Sequence, residues 1–254
     1  MQFLRAVPTI ALVACSLGTV PTAPEGALKV LFIGNSLTYE NDLPRTVADM
    51  ALSAGLQQCY CYQVAYPNYA LEDHWDNRVA VRAVQDETWD FVVMQQGPSA
   101  LATSRAHLIL WAKVWDHLID STGATPVMYG VWPAYDNFSD FPQVAASYRE
   151  AADSIGALFA PAGEAWRKAW AQDSTLPLYA ADEFHPSRMG TYLAALTVFQ
   201  RLYAHTPVGI QRSAVVDGRL ESWPDAVVRL LQEAAAAANA DEDARTGSAA
   251  RRRR

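Results

Sequence analysis

Cysteine is scarce: the 254 residues hold three, too few for a disulfide-stapled scaffold. Long apolar runs are missing as well. No uninterrupted stretch reaches the roughly 18–20 residues that a membrane-spanning helix needs. Basic charge is in the minority, with 20 Lys and Arg against 27 Asp and Glu for a formal charge of −7. A nucleic-acid partner would ask for a basic face, so none is expected. No G-x-G-x-x-G follows the first apolar run, and no dinucleotide cofactor is expected. H-x-x-x-H, H-E-x-x-H and metal-spaced cysteine blocks are lacking, so no metal is expected either. Apolar residues are abundant, 51% of the chain, which excludes disorder over most of its length.

The chain begins MQFLRAVPTIALVACS. Arg5 precedes a short apolar run, Ala6 to Ala14, that closes in small residues, the layout of an export signal. Residues 1–14 are therefore read as a signal peptide. Leu12-Val13-Ala14-Cys15 resembles the lipobox of bacterial lipoproteins, which implies cleavage before Cys15 and lipidation of its thiol. Residues 15–26, with two prolines and two glycines, read as a linker. A globular domain over 27–238 follows. Residues 239–254 are small and charged, lack large apolar side chains and end in four arginines. They read as a disordered tail.

Within the domain, Leu28–Ile33 is a continuous apolar, β-branched run, the pattern of a strand buried on both faces. Further strands are expected at 57–65, 90–94, 125–131 and 157–160. Helical spacing falls at 43–54, 75–85, 104–119, 141–155, 162–171, 189–203 and 224–238. Strand and helix alternate, which predicts a parallel sheet covered by helices. Cys59 and Cys61 sit two apart on the second strand and read as buried small hydrophobes rather than as a bonded pair.

Two short motifs carry chemistry. Gly34-Asn35-Ser36-Leu37 directly follows the first strand, where Gly34 permits a sharp exit. A serine beyond the carboxyl end of a parallel strand can be a nucleophile. It can equally cap the next helix. Asp182-Glu183-Phe184-His185 supplies an imidazole base and, three residues earlier, a carboxylate to orient it.

Together these motifs resemble those of the SGNH hydrolases, or GDSL esterases, in which G-D-S-L lies near the start and D-x-x-H near the end. Asn35 stands here for the usual aspartate. Phe32-Ile33-Gly34-Asn35-Ser36, Asn41-Asp42-Leu43-Pro44, Val92-Val93-Met94-Gln95 and His185-Pro186-Ser187 extend the likeness over roughly residues 28–209. The resemblance implies a three-layer α/β/α sandwich of about five parallel strands in flavodoxin-like order. It also implies ester hydrolysis without a cofactor. Ser36 would be the nucleophile, His185 the general base and Asp182 its orienting partner. The oxyanion hole would use the Ser36 amide, Asn68 where the family has glycine, and a glutamine amide. Gln95 is the first choice for that amide and Gln96 the alternative. Tyr69, His74 and Trp132 are candidate substrate-binding residues, although His74 also reads as structural and Trp132 as core. The expected substrate is a glycan or small ester carrying a short acyl group. Membrane contact would come only through Cys15. Acyl transfer with the same triad, and a non-catalytic glycan-binding lipoprotein, are the alternatives.

Overall fold

The computed structural model describes residues 20–211 and 214–252, with side chains through residue 247. The expected signal peptide and Cys15 lie outside the described residues. The fold is built on β1 (Leu28–Gly34), whose Val30 to Ile33 are all fully buried. Each such side chain contributes about 1.5–3 kcal/mol by leaving water. β2 (Cys59–Ala65), β3 (Phe91–Met94), β4 (Thr125–Gly130) and β5 (Leu158–Pro161) complete a five-stranded sheet in the order β2-β1-β3-β4-β5. Every pairing in it is parallel, with Leu28 opposite Cys59 and Val30 opposite Phe91. This is the flavodoxin-like order, in which the chain reverses its direction of winding between β1 and β3. The crevice beyond the carboxyl ends of those two strands is where such folds place ligands.

The helices form two groups. α2 (Leu43–Ser53), α7 (Ala162–Gln172), α8 (Arg188–Tyr203) and α9 (Asp225–Arg252) pack among themselves. α3 (Leu71–Asn77), α4 (Val79–Asp86), α5 (Ala102–Asp120) and α6 (Phe141–Ile155) form the other layer. A four-residue helix, α1 (Ser36–Tyr39), sits at the end of β1.

Four local expectations need correction. The helix read over 75–85 is two helices, α3 and α4, broken where Arg78 takes φ 65°. A hairpin of β6 (Val215–Val216) and β7 (Arg219–Leu220) went unread. Its turn is Asp217-Gly218, both with positive φ, the pair a two-residue hairpin favours. Cys59 and Cys61 form a disulfide with Cα atoms 5.5 Å apart. Residues two apart share a face of a strand, and β2 is the sheet edge, so this separation falls within disulfide range.

The fourth correction is the C-terminal tail, where α9 continues through Arg252. Few apolar side chains hold it there, but polar ones do. Asn239 is buried and donates to Thr197 O and Gln200 Oε1 at 3.3 and 2.8 Å. Glu242 is buried between Arg149, at 2.9 Å, and Arg245, at 2.6 Å. Asp243 meets Arg201 on α8 at 2.5 Å. Composition signalled weak hydrophobic packing, but it could not reveal ion-pair partners almost a hundred residues upstream.

Candidate active site

The turn after β1 is held by a web of short polar contacts. Asn35 caps α1 by accepting from Leu37 N–H at 3.1 Å. Its Nδ2 donates to Tyr69 O at 3.1 Å, tying the first turn to the one after β2. Gln95, at the end of β3, accepts from Asn35 N–H at 3.0 Å and Thr38 Oγ1 at 2.8 Å. Gly34 is needed here for space rather than for an unusual φ. A Cβ at that position would lie 2.5 Å from Gln95 Oε1 and closer still to Thr38 Oγ1. Ser36 follows as the first residue of α1. Its backbone N–H is one of the helix-start donors that no helical carbonyl can satisfy.

The second half of the site comes from the loop between α7 and α8. Ala180 N–H donates to His185 O and Ser187 N–H to Leu178 O, both at 2.8 Å. Ser187 caps α8 by accepting from Gly190 N–H at 3.1 Å. Asn41 reaches over to donate to Pro186 O and Thr191 Oγ1, both at 3.0 Å. Within the loop Glu183 has φ 60°, which curls the chain back on Asp182. One Asp182 oxygen then accepts from the Phe184 and His185 amides at 3.1 and 2.9 Å. The other oxygen meets His185 Nδ1 at 2.5 Å.

The loop thereby delivers His185 Nε2 to 2.8 Å from Ser36 Oγ. Ser36, His185 and Asp182 form a continuous hydrogen-bonded chain, as the two motifs lead one to expect. The bond to His185, helped by the two amides, pulls the Asp182 carboxyl down to about 2. Asp182 therefore stays an anion across the working pH range and fixes a proton on Nδ1, leaving Nε2 free to accept one.

Ser36 opens into a cleft of about 370 Å³ at the β1/β3 crevice. Asn68 and Tyr69 line it. The Pro67-Asn68 turn closes with Tyr69 N–H donating to Tyr66 O at 3.3 Å, and Asn68 has φ 61°. Proline second and a left-handed residue third make a type II turn. That is why glycine suits the site and why asparagine, the most tolerant of the others, can replace it.

Three sequence expectations move once side chains are placed. Gln95 is turned away from the cleft. Its Nε2 donates to Asn35 Oδ1 at 2.9 Å and to Gln96 O, so both amide hydrogens are spent. Gln96 lines the cleft instead, with one hydrogen on Ser99 Oγ at 3.0 Å and the other uncommitted. His74 is fully buried beneath the nucleophile turn, its Nε2 2.7 Å from Gly34 O, so it touches no substrate. Burial pushes its pKa below the usual histidine value. Trp132 is also fully buried, stacked on Trp166 at 3.7 Å, and it donates to Phe184 O at 3.1 Å. Both residues support the site from behind.

Sequence reasoning also missed several cleft residues. Phe184 lies inside the D-x-x-H motif, and its ring meets His185 edge-on at 5.1 Å. Pro98, Ser99, Ser104 and His107 line the cleft from the β3–α5 connection and from α5. His107, on α5, meets Glu72 Oε2 at 2.8 Å. Only the fold brings residues 72 and 107 together, so no local signal could have found the pair.

A solved structure from Slackia heliotrinireducens, described as an inferred SGNH hydrolase, is 30% identical to this chain. It aligns with TM-score 0.59 over 69% of this chain and 99% of its own. The chain belongs to the SGNH hydrolase family. Membership brings the enzyme class with it, serine-dependent ester hydrolysis. A DUF4886 family protein from Bacteroides uniformis aligns with TM-score 0.66 at 18% identity, over 84% of this chain and 94% of its own. An acetylxylan esterase from Geobacillus stearothermophilus aligns with TM-score 0.52 at 15% identity, over 70% and 95%. These two likenesses concern the fold alone. Family models and curated protein sequences gave no significant match.

Proposed function

We propose that this SGNH hydrolase removes acetyl or other short acyl groups from a glycan or a small ester, using Ser36, His185 and Asp182. The observation that carries the reading is the Asp182–His185–Ser36 chain at the mouth of the cleft. His185 Nε2 takes the Ser36 proton as Oγ attacks the ester carbonyl, while Asp182 holds the imidazolium that forms. The tetrahedral oxyanion is received by donors lining the same cleft: the Ser36 amide, Asn68 and the free hydrogen of Gln96. His185 then protonates the departing alcohol, leaving an acyl group on Ser36. Water, deprotonated by the same imidazole, releases the acid.

The short acyl preference follows from Asn68 and Tyr69, both larger than glycine, crowding the turn beside Ser36. The acetylxylan esterase among the structural neighbours supports an acetylated sugar as substrate. An exported location rests on the N-terminal segment, with lipidation at Cys15 resting on the lipobox pattern. The Cys59–Cys61 disulfide supports an oxidising compartment.

The test is acetate release from acetylated xylooligosaccharides, beside hydrolysis of p-nitrophenyl esters of rising acyl length. Activity highest for acetyl and abolished in Ser36→Ala is the expected result. Equal rates for acetyl and octanoyl esters would overturn the short-acyl reading. Wild type no faster than Ser36→Ala on every ester would overturn the esterase reading.

A further inference from the structure

Two carboxylate–imidazole pairs stand close to one cleft, one through Ser36 and the other through His107, both of which line it. The first is Asp182–His185, which belongs to the proposed chemistry. The second is Glu72–His107, on the wall formed by α3 and α5. His107 lines the cleft, and its Nε2 lies 2.8 Å from Glu72 Oε2. Neither side chain is sunk in the core, with exposures of 34% and 47%. A buried structural pair would be shielded; this one is open to whatever enters. Ser104, one turn before His107 on α5, lines the same wall, and so do Ser99 and Gln96. Phe184 and Tyr69 add aromatic surface to the lining.

We propose that His107 and Ser104, with Glu72 orienting His107, form a subsite for the alcohol part of the ester, and that this part is a polyhydroxylated ring. This rests on the esterase reading above and names which residues would choose its substrate. The chemistry fits hydroxyl groups, which donate and accept at once. Ser104 supplies a hydroxyl that does both, and His107 a second ring nitrogen beside the one held by Glu72. A carboxylate on one nitrogen sets the orientation of the ring and so the direction of its remaining polar edge. Sugar hydroxyls next to an acylated position could be held by this wall while the acyl group lies by Asn68 and Tyr69. His107, Glu72 and Ser104 stand outside the Asp182–His185–Ser36 hydrogen-bonded chain, so they act on binding of the leaving alcohol and not on proton transfer.

The experiment compares kcat/KM for an acetylated xylooligosaccharide with kcat/KM for p-nitrophenyl acetate, whose alcohol has no hydroxyls to hold. His107→Ala and Glu72→Gln are expected to lower the ratio of the two constants at least tenfold, through a raised KM for the sugar ester. His107→Gln, which keeps a hydrogen-bonding edge, should recover part of it. An unchanged ratio in both variants overturns the subsite, whether the two rates stay level or fall together. Wild type inactive on both esters would instead overturn the esterase reading itself, so the two failures are distinct.

Discussion

His185 Nε2 stands 2.8 Å from Ser36 Oγ, although 149 positions of sequence separate them. Ser36 is delivered by the end of the central strand and His185 by a loop braced at both ends. The brace includes Asn41, which links the start of α2 to Pro186 and Thr191. Neither motif could act alone, and the sheet order is what brings their two ends together.

The two neighbouring glutamines give the sharpest contrast. Gln96→Ala removes a donor that faces the cleft. Loss of one oxyanion donor costs about 10²–10³ in kcat. A fall in kcat of that order is expected, with some loss of melting temperature as well, because Gln96 also accepts from Leu71 N–H and donates to Ser99 Oγ. Gln95→Ala should behave differently, because it takes away a partner of Asn35 and Thr38 in the buried turn. Gln95 makes more of these buried bonds than Gln96 does, so the melting temperature of Gln95→Ala should fall further, and activity should fall because the turn loosens. Thermal melts and steady-state kinetics on both variants check this, and a catalytic loss confined to Gln95→Ala would contradict the assignment.

Asn35 has a reason to be asparagine in this chain. It accepts from Leu37 N–H and Gln95 Nε2 and donates to Tyr69 O. An aspartate cannot donate, so Asn35→Asp leaves Tyr69 O facing a carboxylate. An unmet bond of this kind costs about 1–3 kcal/mol. The expected outcome is a melting point several degrees lower, together with reduced kcat because the Tyr69 turn loosens. Differential scanning calorimetry is the measurement.

His74 links stability to acid. Its pKa in the fold is depressed by burial, below the unfolded value of about 6.5. The unfolded chain therefore binds the proton more readily, and the stability His74 contributes is complete above about pH 6.5 and declines as pH falls below it. Melting temperature should drop between pH 7 and 5, and drop less in His74→Gln. Asp182, held at about 2, does not titrate in this range.

The C-terminal end of α9 should behave as folded chain. Amides of residues 239–245 are expected to be protected in hydrogen exchange, and Glu242→Ala, which strands Arg149, should lose that protection. Free exchange of this segment in the wild type would contradict the packing of Glu242 against α6.

Much of the architecture was legible because it rests on local patterns. The Val30–Ile33 run, the helical spacing at 43–54 and the strand–helix alternation each report on near neighbours. So did the two motifs, since Gly34–Leu37 and Asp182–His185 are short blocks. What escaped depended on distant pairing. Nothing within Met94-Gln95-Gln96-Gly97 says which glutamine turns inward. That is decided by Asn35 and Thr38, about sixty residues earlier. The Glu72–His107 pair and the anchoring of Glu242 by Arg149 are hidden for the same reason. The Cys59–Cys61 bond lies on β2, whose place at the sheet edge is set by the strand order and not by the local sequence.

The central claim is that His185 activates Ser36 as a nucleophile. The most direct measurement is stoichiometric labelling with a fluorophosphonate, read by intact mass and peptide mapping. One adduct per chain, located on Ser36 and slowed at least a hundredfold in His185→Ala, is the predicted result. A folded wild type that takes no label, or takes it on another residue, would contradict the account.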